Sequence, residues 1–304
     1  MSDTEPNYII YAPSFTENSG GTIFLHQLAH SLGQRGLDAA LWPMAHIYAP
    51  GLRKRLKEAI LPPRYLLSDK LDTRRATRND IRPNTVAIYP ELVLGNPLGA
   101  PHVARWLLYT PGKLHAYEFG PDEMFFRVDE FADLPEFTGG AEDLFLWTVN
   151  RAYRNEDRPD RKGTCFVVHK WKDGPRHPVT EGAIQIDGKS HEEINEIFNQ
   201  CDTFYSYDDA TMYSQYAAVA GCLSVVIPSG DADRDGMLKN HMLAPYGIAY
   251  DFSDQQIAHA NDTRHKVEEH LLARERMGQD TVDRFVEITR ARVQGDGLRA
   301  GSPR

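Results

Sequence analysis

Asp208, Asp209 and Thr211 follow an aromatic-rich run, Thr203 to Tyr207, and precede a stretch whose apolar residues recur at helical spacing. Two carboxylates and a hydroxyl gathered where a helix starts suit either of two roles. They cap the helix, as Asp and Thr do, or they hold hydroxyl groups of a ligand while the free N–H groups of the first turn, at Met212 and Tyr213, meet a phosphate. The residues alone leave both open. A second set lies in the first half of the chain. Glu17, His115 and Glu118 are of the types that take a proton from a hydroxyl, with His26 a weaker candidate because it falls within a helical stretch. For each of these a surface or capping role is the plainer alternative.

The elements that must position these residues alternate. Tyr8–Ala12 reads as a strand and runs into a loop ending in Gly20-Gly21, which lets backbone N–H groups approach a ligand. An amphipathic helix follows, Thr22 to Gln34, stopped by Gly36, and Ala39–Trp42 is the next strand. This is the opening of a Rossmann-like unit without the G-x-G-x-x-G dinucleotide spacing. Further strands are expected at Thr85–Tyr89, Val103–Tyr109 and Asp143–Val149, and Pro111-Gly112-Lys113 turns the chain after the second of them. Arg154 to Lys162 is charged and lacks apolar side chains, the best domain boundary in the sequence. The rhythm then restarts with strands at Thr164–His169 and Ala183–Ile186. Ser190 and Glu193 form a capping box for a helix, Glu192–Gln200. The aromatic strand comes next, then a helix from Met212 to Ala220 closed by Gly221, and a strand, Ser224–Ile227. A weak strand at Ala249–Phe252 precedes helices at Ile257–Glu275 and Asp280–Val293. The fold expected is α/β, two Rossmann-like doubly wound domains facing across a cleft. Residues 1–157 form the first domain, 158–279 the second, 280–293 a helix packing back, and 294–304 a disordered tail.

Composition narrows the function classes. With 304 residues, 41% hydrophobic, the chain is long enough for two cores, and its net charge of −9 excludes a general nucleic-acid binder. One segment runs the other way. Gly51 to Arg82 holds ten basic residues against four acidic ones, a surface helix or a region that rests on anionic lipid. Cys165, Cys201 and Cys222 make no CxxC pair and imply no disulfide framework, so reduced core thiols are expected. No apolar run is long enough to span a bilayer, and a cytoplasmic protein is expected, with membrane contact through 51–82 as its route to a surface. Asp231-Ala-Asp233-Arg-Asp235-Gly236 mimics the start of a calcium loop, but Met242 stands where a bidentate glutamate is required. No metal site is expected there. The same run, or Asp208-Asp209, has the composition of a metal-binding D-x-D, against which the two-domain rhythm argues.

This order of features resembles the two-domain (GT-B) glycosyltransferases that build bacterial surface polysaccharide and lipopolysaccharide core, over Tyr8 to about Val293. Ser14 to Thr22 is similar to the Gly-rich acceptor-side loop of that family. Ala-Val-Ala-Gly-Cys-Leu-Ser-Val-Val, ending at Val226, is similar to its Ala-x-Ala-x-Gly-x-Pro-Val-Val pattern. In retaining members two glutamates with seven residues between them precede the glycine; counted back from Gly221, they fall on Asp208 and Tyr216. The resemblance implies that Asp208 and Asp209 take sugar or ribose hydroxyls, that Thr211 and the backbone take phosphate, and that Lys170, or Lys172 in its place, holds the diphosphate. It implies a nucleotide-sugar donor, a glycan or lipid-linked acceptor, and neither metal nor separate cofactor. Tyr216 departs from the pattern, since the second acid grips the donor ribose. A sugar-nucleotide epimerase or hydrolase, or an inactive nucleotide-sugar-binding protein, are the alternatives.

Overall fold

A computed structural model describes residues 5–17, 19–44, 64–113, 116–168, 174–208, 211–228 and 245–300, with side chains as far as 295. The chain divides into two compact units, Met1–Trp147 with Met277–Arg304, and Thr148–Arg276. Each is built on a parallel sheet with interspersed helices, so the fold is α/β.

The first unit has, among the described residues, a six-stranded sheet in the order β2-β1-β3-β4-β5-β6. The strands are β1 Asn7–Ala12, β2 Ala39–Pro43, β3 Thr85–Pro90, β4 His102–Leu107, β5 Met124–Arg127 and β6 Glu142–Asp143. Ile9 of β1 stands opposite Ala40 on one side and Ala87 on the other. β3 is buried at every position and β4 at all but His102, as parallel strands covered on both faces require. Helix α1, Gly20–Gln34, connects β1 to β2 and packs Phe24 against Trp106. A short helix, α2, Pro135–Thr138, precedes β6. The long C-terminal helix, α6, Val267–Ala300, begins in the second unit and sets Phe285 against Tyr8 and Phe126 in the first.

The second unit has five strands among the described residues, β7 Thr164–Val167, β8 Ile184–Gln185, β9 Thr203–Ser206, β10 Leu223–Val226 and β11 Ile248–Ala249, in the order β11-β10-β9-β7-β8. Its helices are α3 His191–Gln200, α4 Tyr213–Val219 and α5 Asp254–Thr263. The capping box forms as the sequence predicts. Glu193 N donates to Ser190 Oγ at 3.2 Å and Ser190 N to Glu193 Oε2 at 2.8 Å. Gly221, at φ +99°, closes α4 with paired bonds from Gly221 N to Ala218 O and Cys222 N to Ala217 O. The three cysteines are buried free thiols. The charged stretch Arg154–Lys162 lies inside this unit, where Arg158 meets Glu196 and Arg161 donates to Phe198 O and Ala220 O.

Four expectations are corrected. β5 was not anticipated. Asp143–Val149 is not a strand beyond Asp143: the segment leaves the sheet, and the Phe145 backbone hydrogen-bonds to Thr281 instead. The last helices break at Arg264–Lys266 rather than near residue 278, so α6 is continuous. It also continues to Ala300, which makes the expected tail helical where it begins. Residues 51–63 of the basic segment lie outside the described residues. Within the described remainder, Arg74 pairs with Asp38 and Asp80, Arg82 with Asp38, and Lys70 with Glu17. Among the described residues no helix is long and apolar enough to cross a membrane.

Gly278 sits inside α6 rather than at a break in it. A helix-interior glycine costs about 1 kcal/mol relative to alanine, so propensity alone would make Gly278→Ala stabilising. A Cβ there would stand 2.7 Å from Phe145 O, which Thr281 Oγ1 holds at 3.0 Å. Gly278→Ala is therefore expected to lower stability by about 1–3 kcal/mol in urea unfolding, as overpacking does. A gain of about 1 kcal/mol would show that the two backbones can part.

Candidate functional site

In the second sheet β7 and β9 are neighbours, yet the chain leaves β7 toward β8 on one side and β9 toward β10 on the other. At such a switch point doubly wound sheets bind ligands, beyond the carboxyl ends of the strands. Tyr207 N donates to Val167 O at 3.0 Å, so the loop after β9 starts beside the end of β7. Asp208 is in that position and is buried. Ser206 fixes its backbone, donating from Oγ to Asp208 O at 2.6 Å and accepting from Asp208 N. Thr211 is buried too, and its hydroxyl accepts from Tyr213 N at 3.3 Å. Thr211 is not the N-cap, which falls on Met212 without a side-chain bond; its hydroxyl meets the first N–H of α4, and its proton can still be donated to a ligand oxygen. Met212 Sδ accepts from Gln215 Nε2, and burial raises the Tyr213 phenol, with the Asp187 charge adding to the rise.

Tyr216, where the resemblance has its second acid, is a packing residue. Its ring stacks on Tyr153 with centroids 4.2 Å apart and planes 9° from parallel, and burial pushes its phenol up to about 12. Tyr153 OH in turn meets His191 Nδ1 at 2.7 Å. Two residues not singled out from the sequence stand at this edge. Asp187, after β8, accepts from Val168 N at 2.9 Å, and the His191 ring lies 6.5 Å from that of Tyr213. Neither belongs to a spaced motif; only the parallel pairing of β7 with β8 and β9 brings them to Asp208's edge of the sheet.

The first sheet has its own switch point, between β1 and β3. Gly20 and Gly21 open α1 there. Neither has a positive φ, and a Cβ would meet nothing within 4 Å at Gly20 and only Leu108 Cδ1, at 3.7 Å, at Gly21. Among the described residues, packing does not require glycine at either place. Glu17 pairs with Lys70 at 2.8 Å. Glu118 is exposed; its carbonyl accepts from Gly95 N at 3.0 Å. Gly112, at φ +81°, lies under the Tyr117 ring, and Lys113 Nζ sits 5.5 Å from the Tyr109 ring centroid. Glu91, not anticipated as a site residue, directly follows β3: it is buried and accepts from Leu108 N at 3.0 Å, and burial raises its carboxyl pKa against the pull of that N–H. His26 is fully buried, with Nε2 at 2.9 Å from Pro13 O, and holds the loop after β1.

His115, Lys170, Lys172 and Asp209 lie outside the described residues, as does Asp231–Gly236. Among the described residues no group of three or more His, Cys, Asp or Glu side chains is disposed to hold a metal ion.

No protein-family model matches the chain, and no curated protein matches it. Solved structures do align with most of it, two of them as follows. The glycotransferase of kitacinnamycin is 12% identical over 93% of this chain and 98% of its own, with a TM-score of 0.44. The T4 phage beta-glucosyltransferase is 11% identical over 97% of this chain and 99% of its own, with a TM-score of 0.36. Likeness this distant fixes neither family nor chemistry.

His26 gives a pH prediction. Burial lowers its pKa in the folded state, so below about pH 6.5 the unfolded chain takes up a proton that the folded chain does not. Stability should fall as pH drops from about 6.5 toward 5, and His26→Gln, which can still donate to Pro13 O, should flatten that fall in urea titrations. An unchanged slope in the variant would contradict the burial account.

Proposed function

We propose that this chain is a glycosyltransferase. In this reading the second unit holds a nucleotide-diphosphate sugar, the first holds a glycan or lipid-linked acceptor, and the sugar passes between them without a metal or separate cofactor. The pathway proposed is surface polysaccharide or lipopolysaccharide synthesis in the cytoplasm, with segment 51–82 resting on the membrane surface.

The observation that supports this best is the occupancy of two topological switch points. Asp208 and Thr211 stand at one, and a glycine pair that packing among the described residues does not require opens the helix at the other. Glycine without a packing reason among the described residues suits close approach of a ligand to the backbone.

The leaving nucleoside diphosphate carries two to three negative charges that must be met as the glycosidic bond breaks. Thr211 would donate its hydroxyl proton to a phosphate oxygen, and Lys170 or Lys172 would supply the cation. Asp208 and Asp209 would accept hydrogen bonds from sugar or ribose hydroxyls, since a carboxylate repels phosphate. The acceptor hydroxyl loses its proton to a base as its oxygen attacks the sugar carbon. Glu17 is engaged by Lys70, so Glu118 or His115 is the better assignment. Tyr216, stacked in the interior where an acid would grip the ribose, favours a second reading, a protein that binds a nucleotide sugar without transferring it.

Acceptor-dependent release of nucleoside diphosphate separates the readings. Asp208→Asn should lower turnover about 100-fold, as loss of a transition-state contact does, with the melting temperature unchanged, and a chelator should have no effect. Full activity in the variant would remove Asp208 from the site. Release without acceptor would make the protein a hydrolase, and binding without turnover would favour the second reading.

A further inference from the structure

We propose that the first unit carries a saccharide-binding shelf, formed by Tyr117, Phe119, Phe125 and Phe137, that takes the pyranose ring of the acceptor; this rests on the transferase reading. The four rings form one cluster. Phe119 lies 4.9 Å from Tyr117, 5.6 Å from Phe125 and 5.6 Å from Phe137, and Phe137 stands edge-on to Phe125 at 90°. The cluster is open to solvent: Tyr117 is 40% exposed and Phe137 48%, and nearby Leu94 is 52% exposed. Large rings gathered into one contiguous exposed cluster, rather than scattered singly, are the kind of apolar surface that marks a binding site.

The rings are held rigidly. Arg105, fully buried, places its guanidinium 5.0 Å from the Phe119 centroid from the sheet side. Phe137 rides on α2, which Asp133 fastens by accepting from Leu134 N and Thr138 Oγ1 through one oxygen and from Ala141 N and Arg127 Nη1 through the other. Tyr117 lies against Gly112, in the turn after β4, so the shelf continues to the carboxyl edge of the sheet.

Three considerations select a sugar as the occupant. Three side chains near half exposure present on the order of 300 Å², whereas a stable protein partner needs about 800 Å² on each side. An alkyl chain laid over the rings would offer no hydrogen bond to Glu118, which follows Tyr117 in the chain and is exposed. A pyranose offers both surfaces needed, axial C–H groups for the ring faces and hydroxyls for polar partners on the same loop, where Glu118 follows Tyr117 and Lys113 follows the Gly112 that the Tyr117 ring covers.

Saturation-transfer NMR on the full chain tests this with methyl β-D-glucopyranoside, methyl α-D-mannopyranoside and cellobiose as probes, and dodecylphosphocholine as the alkyl comparison. The expected result is transfer to pyranose C–H protons that falls at least tenfold in Phe137→Ala and in Tyr117→Ala, and not in Ile184→Ala, an exposed position in the second unit. Equal transfer in the ring variants, no transfer to any saccharide, or variant-sensitive transfer to dodecylphosphocholine alone would each overturn the shelf. Thermal stabilisation by a nucleoside diphosphate, measured on the same samples, keeps the two claims apart. If it persists while saccharide binding fails, the shelf falls and the donor reading stands; if both fail, both fall.

Discussion

Parallel pairing governs this molecule. A parallel strand cannot be reached by a tight turn, so each connection must return across the sheet through a crossover. The consequence is that every strand of a sheet ends at the same edge, and the loops there stand side by side however distant in sequence. In the first unit this brings the loop after β1 alongside Glu91 at the end of β3. In the second it brings Asp208, after β9, beside Val168, after β7. Residues far apart in the chain become one chemical neighbourhood because of a pairing rule, and the strand order decides where two neighbouring loops diverge to leave room for a ligand.

The loops at those edges need support of their own. Arg105 supplies it in the first unit. Its guanidinium reaches Glu123 through two bonds, 2.8 and 2.6 Å, and donates to Val93 O and Gly95 O, so one buried cation ties the segments after β3 and before β5 together. Burying this charge is tolerable only because each direction has an acceptor; removing one partner of such a pair costs roughly 3–5 kcal/mol. In the second unit the Tyr153–Tyr216 stack and the Ser206–Asp208 backbone clip take that part. The two sites are thus held by different means, ionic in one and aromatic in the other.

Much of the fold was legible in the sequence, because the signals were local. The run from Tyr8 through Gly36, the Ser190–Glu193 capping box and the glycine closing α4 all depend on residues within a few positions of one another. β5 was not legible: four residues, Met124–Arg127, among charged and proline-flanked neighbours carry no periodicity, and only pairing with β4 makes them a strand. Asp143–Val149 misled for the opposite reason. Leu144 and Leu146 alternate as a strand should, but beyond Leu144, whose N–H still donates to Arg127 O, the backbone of Phe145 and Val149 bonds to Thr281 and Glu275 of α6. The site was legible in part. Asp208 and Thr211 stood out by type and position, whereas Glu91, Asp187 and His191 carry no motif and become candidates only through sheet topology. Tyr216 shows the limit of counting along a pattern: the register points to a position whose side chain the fold has committed to its core.

The central claim is that the switch point of the second sheet receives a nucleoside diphosphate. Thermal unfolding with UDP, GDP, ADP, CMP and dTDP, and with the corresponding nucleotide sugars, tests it most directly, without added metal. A ligand that binds only the native state at a hundredfold excess over its Kd adds about 2.7 kcal/mol, which should raise the melting temperature by about 5 °C or more. The account predicts such a shift for one nucleotide class, diminished in Thr211→Val. No shift with any of them would contradict it and leave two parallel sheets without the ligand their edges are proposed to hold.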